Sequence, residues 1–99
     1  MSKASFSLET IVLKASGLHE RHVGDKIFVL DAQSAMHAMD NAVAVEIWRC
    51  LDQSVDGVTL GGVVGAIVER FDVPRDQAVA DVLDFARLLH DRGILAPAD

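Results

Sequence analysis

Near Asp40 the hydrophobic period of the chain changes, and this change limits the possible folds more than any other feature. Before it, short apolar stretches alternate with turn residues. After it, apolar side chains recur at helical spacing. The order implied is strands first and helices second, an α+β domain.

Three strands are expected. Ile11–Lys14 is the first, followed by turn material at Ser16-Gly17 and Val23-Gly24-Asp25. Lys26–Leu30 is the clearest, rich in β-branched and aromatic side chains. Asp31–Ser34 reads as a tight turn and Ala35–Met39 as the third strand. The second strand is apolar on both faces, with Ile27 and Val29 on one and Phe28 and Leu30 on the other, so both sides of the sheet call for some cover.

Three helices follow. Asn41 is a good N-cap for a helix through Val43, Val45, Ile47, Trp48 and Leu51. Thr59 caps a second, with Val63, Val64, Ile67 and Phe71 as its buried stripe, ended by Asp72-Val73-Pro74. Gly61, Gly62 and Gly65 weaken it by about 1 kcal/mol each against alanine, and allow close packing or a loose first turn. Asp76 to Asp91 is the strongest helix, stopped by Gly93. On it Phe85, Ala78, Leu89, Val82, Ala86, Val79 and Leu83 span about 160°, whereas a surface helix needs about 100°. Either a flank near Ala78, Phe85 and Leu88 faces a groove, or three-helix packing buries both flanks.

Composition narrows the functional classes. Ninety-nine residues make one domain, and a net charge of −6 with nine scattered basic residues disfavours a phosphate-backbone binder. No run approaches the roughly 18 apolar residues of a membrane span. The first residues lack a signal-peptide stretch, and the single Cys50 cannot form an internal disulfide, so a cytoplasmic protein is expected.

No residue sits in a recognisable catalytic context. Cys50, between Trp48 and Leu51, reads as a small buried apolar residue, and Gly61–Gly65 lacks the lysine of a phosphate loop. His19 and His22 fall in an expected loop without further metal ligands, and His90 reads as a partly buried structural residue. Neither an enzyme, a metal site nor a cofactor is expected. Asp76, Asp81, Asp84 and Asp91 form a solvated face or meet a basic partner.

Three stretches carry a family resemblance: Asp40-Asn41-Ala42-Val43-Ala44-Val45-Glu46-Ile47-Trp48 with Leu51-Asp52; Thr59…Val63…Ile67…Phe71-Asp72-Val73; and Ala80–Phe85…Leu88…Arg92–Leu95. Together they resemble the pyrroloquinoline quinone biosynthesis protein D family, the recognition element of ribosomally made, modified peptides. Asp40 stands where members carry Leu, and the first strand lacks their Pro-Gly. Another peptide class, such as lasso peptides, is therefore open beside the quinone pathway.

The resemblance implies a winged helix-turn-helix-like fold, a three-stranded antiparallel sheet followed by three helices. It also implies that the third strand is an open edge to which a leader peptide adds. On that reading the site comprises Ala35, Met36, His37, Ala38 and Met39 with Ala78, Val82, Phe85, Ala86 and Leu89. The implied partners are a precursor peptide and a modifying enzyme or protease, with no nucleic acid and no membrane. A homodimer through the same edge is compatible with this. The alternatives are a winged-helix DNA-binding regulator and a dimerisation or assembly module. Against the regulator, Glu69 to Arg92 holds six acidic and four basic residues, where a recognition helix presents Arg, Lys, Asn or Gln.

Overall fold

The computed structural model describes residues 6–53 and 56–98. The first five residues, read above as lacking a targeting stretch, lie outside the described part. In chain order the elements are β1 (Ile11–Lys14), β2 (His19–Val23), β3 (Lys26–Leu30), β4 (Met36–Met39), α1 (Ala42–Asp52), β5 (Val58–Thr59), α2 (Leu60–Arg70), α3 (Arg75–Asp91) and β6 (Leu95–Pro97). The domain is α+β, with antiparallel strands and three helices, as expected.

The expected single sheet is corrected. Two three-stranded sheets form, in the orders β2-β3-β4 and β5-β1-β6. Ile11–Lys14 leaves the main sheet because its main-chain partners come from far along the chain: β5 at the entrance to α2 and β6 after α3. Val12 is fully buried there. Its place beside β3 is taken by His19–Val23, read from sequence as a loop. Every residue of that strand is exposed, so no apolar alternation marks it. Backbone pairing and the two-residue turn Gly24-Asp25 hold it instead. Gly24 has φ +62 and opens a II′-type turn, a backbone that side-chain-bearing residues rarely adopt.

The helices start and stop for the reasons read from sequence. The Asn41 side chain accepts the Ala44 N–H at 2.8 Å, and Thr59 Oγ1 accepts the Gly62 N–H at 3.1 Å. Phe71 terminates α2, and Gly93 follows the last turn of α3. At Gly61 the main chain donates to the Leu8 carbonyl at 2.8 Å, and a Cβ would stand 3.0 Å from that oxygen, so glycine permits close approach.

One core joins the layers. Ile27 and Val29 of β3 and Met39 of β4 present one face of the main sheet to α1, whose Trp48 is fully buried. Val63 and Val64 of α2, Val82 of α3 and Ile94 complete its interior, each at 0% exposure. Among the described residues no helix is long and apolar enough to cross a membrane.

Candidate functional site

The loop before β4 sets which main-chain groups of that strand are free. The Ser34 N–H donates to the Asp31 carbonyl and the Asp31 N–H to the Ala35 carbonyl, both at 2.9 Å, with Ser34 at φ +69. This is a three-residue hairpin loop closed by a bulge. From that closing pair, antiparallel alternation directs the main-chain groups of His37 and Met39 toward their partners Val29 and Ile27. The N–H and C=O groups of Met36 and Ala38 then point outward. Among the described residues β4 pairs with β3 alone, so this side of the sheet is an open edge.

Asp31 holds the loop in place. Its Oδ1 accepts the N–H groups of Gln33 and Ala35 at 2.9 Å each, and its Oδ2 meets His37 Nε2 at 2.9 Å. The His37 contact, and then the two main-chain donors, hold the Asp31 carboxyl below the usual aspartate range. His37 is thereby half-buried and tied to its own turn. Met36 is 68% exposed, Ala35 and Ala38 are exposed, and Met39 belongs to the core.

On α3, Ala78, Val82, Ala86 and Leu89 are buried core residues that back the site without reaching the surface. The flank beside them is half-buried at Phe85 and 41% exposed at Leu88. Phe85 and Asp81 border a depression of about 330 Å³, closed on its other side by Asn41, Val43, Ala44 and Ile47. Val43, Ile47 and Asp81 were not among the residues expected here. The signal was the two-residue gap, Asp40-Asn41, between β4 and α1. So short a connection forces the first turn of α1 to lie beside the end of the edge strand.

A second cluster is structural. Glu20 accepts the indole N–H of Trp48 at 3.0 Å and meets His22 at 3.3 Å. Lys14 pairs with both Glu20 and Asp52 and lies 4.7 Å from the Trp48 ring centroid. Partial burial raises the Glu20 pKa, but hydrogen bonds from Lys14, Trp48 and His22 outweigh it and leave the carboxyl below its ordinary range. Glu20, His22 and Asp52 bring ligand-type atoms within 4.8 Å of one another. Lys14 pairs with both of those carboxylates. Cys50 is buried, and burial, with the nearby Glu46 charge, pushes its thiol up, away from the reactive thiolate. The His90 ring meets Phe6 edge-on at 5.5 Å, the structural role expected for it.

Comparison with known proteins places the fold. Residues 25–95 match the family model described as coenzyme PQQ synthesis protein D. No curated protein matches the chain. TbiB1, solved in complex with the TbiA(beta) leader peptide, is 26% identical and superposes over 84% of this chain and 93% of its own at a TM-score of 0.76. A lasso peptide synthetase B1, solved in complex with the leader peptide, shares the fold at 16% identity and a TM-score of 0.71, covering 87% of this chain and 98% of its own.

Proposed function

The chain belongs to the coenzyme PQQ synthesis protein D family, and we propose that it binds the leader segment of a ribosomally made precursor peptide and presents the attached core to a modifying enzyme or protease. The observation that carries this reading is the open edge of β4, where the main-chain groups of Met36 and Ala38 point outward, together with a depression between α1 and α3 that reaches Asn41, two residues beyond Met39. An extended leader adds there as a strand, satisfying those groups whatever its sequence. Alternate leader side chains enter between α1 and α3 against Val43, Ile47 and Phe85, backed by Val82, Ala86 and Leu89. Buried anchors rather than net charge set the affinity.

In this reading the three helices and the β3–β4 hairpin make the winged helix-turn-helix-like arrangement. The role is tethering, which raises the local concentration of the core peptide at the enzyme, and the chain itself performs no chemistry. TbiB1, above a quarter identical and solved with a leader peptide, supports a leader peptide as the partner class.

The test titrates the full chain in parallel with a random DNA duplex and with the leader of a candidate precursor peptide sought among its neighbouring genes. Saturable leader binding that perturbs Met36, Ala38 and Phe85 is expected. Saturable DNA binding with a steep salt slope, and none to leader, overturns the reading.

A further inference from the structure

Among the described residues there is a larger concavity than the Phe85 depression. It lies on the opposite face of the main sheet, about 570 Å³, bordered by His19, Glu20, Arg21, Val23, Phe28, Leu30 and Met36. Strand register places His19, Leu30 and Met36 in one row across that face and Arg21, Phe28 and Ala38 in the next. Both faces of β3 are apolar, yet the helices cover only the Ile27–Val29 side. Val23 is 51% exposed and Met36 68%.

The charge of the patch opposes that of the chain. On a protein of net charge −6, this face carries Arg21, Lys26 and His19, none of them in an ion pair among the described residues. Glu20 borders it, but its carboxylate is engaged by Lys14 and Trp48. Asp25 and Asp40, at the ends of the sheet, border a different depression with Glu46 and Arg49. A second copy of the chain suits the patch poorly. The carboxylate that borders an identical face, Glu20, is already engaged and leaves Arg21 and Lys26 without a partner there, and Val23, Phe28, Leu30, Met36 and Ala38 are far fewer than the roughly 20–30 residues a side of a stable interface.

We propose that this face docks an amphipathic helix of the enzyme that acts on the precursor, its apolar stripe flanked by carboxylates. The identity of that partner rests on the leader-binding reading. A leader strand on β4 would turn every second side chain toward this face, next to Met36 and Ala38. A helix seated on it then touches protein and leader together, so the enzyme binds the loaded form more tightly than the empty one.

The test uses two labelled helical peptides of about 18 residues, with one apolar stripe and either Glu or Lys flanks, titrated into the full chain. The Glu-flanked peptide should bind at least about fivefold more tightly, weaken with salt, and shift amide signals of Arg21, Phe28 and Leu30. Arg21→Glu should abolish or invert that preference and leave leader affinity unchanged. Equal binding of the two peptides, no binding up to about 1 mM, or shifts confined to the β4 edge and Phe85 overturns the proposal. So does a dimer in sedimentation that Met36→Glu dissolves. If the leader binds at β4 and the helical peptide does not, this inference alone fails.

Discussion

The indole N–H of Trp48 on α1 reaches the carboxylate of Glu20 on β2 at 3.0 Å. Lys14 of β1 pairs with the same carboxylate, so this contact joins both sheets to the helical layer. Glu20→Gln keeps an acceptor for Trp48 and loses the charge. Because the cluster is solvent-screened, the expected cost is about 0.5–1 kcal/mol. Urea unfolding in low and high salt checks this, with the difference shrinking in high salt.

Phe85 and Leu89 sit one turn apart on α3 but should respond differently. Leu89 is 2% exposed, and Leu89→Ala should cost about 2–5 kcal/mol of stability. Phe85→Ala should leave the fold intact and weaken leader binding at least tenfold, about 1.4 kcal/mol. Thermal melts beside leader titrations separate the two effects.

The helices were legible because their caps and stripes are local: Asn41, Thr59 and Gly93 mark ends that the structure keeps. Lys26–Leu30 and the edge strand were legible for the same reason. β2 was not, since His19–Val23 is polar and exposed along its length. The II′ signal at Gly24-Asp25, between Val23 and Lys26, was the available clue. β5 and β6 are two and three residues long and exist because β1 needs partners, which is a tertiary fact. The wide apolar arc of α3 was read correctly as a pattern. Most of it is core, however, because α2 and β6 both pack on that helix, leaving Phe85 and Leu88 as the flank at the surface.

Asp31 should give the edge strand an acid-sensitive anchor. Its folded carboxyl titrates below the ordinary aspartate value of about 3.9, through His37 first and then the Ala35 and Gln33 N–H groups. Its contribution is therefore complete above the ordinary value and is lost as pH falls through the lower, folded one. Asp31→Asn should flatten the acid side of the stability curve and loosen the 31–35 loop, read by melts between about pH 2 and 6.

Ala38→Pro probes the open edge. Proline is tolerated where an edge-strand N–H faces solvent, so the fold should persist with a small loss of stability. The outward donor is gone, and leader affinity should fall at least tenfold. Unchanged affinity in a folded variant contradicts strand addition at this position.

Amide hydrogen exchange along β4, with and without bound leader, tests leader capture most directly. Without leader, Met36 and Ala38 should exchange freely, while His37 and Met39, bonded to β3, are protected. Adding saturating leader should slow Met36 and Ala38 and leave the other two unchanged. If leader binds and Met36 and Ala38 still exchange freely, it sits elsewhere, and the account given for this domain is wrong.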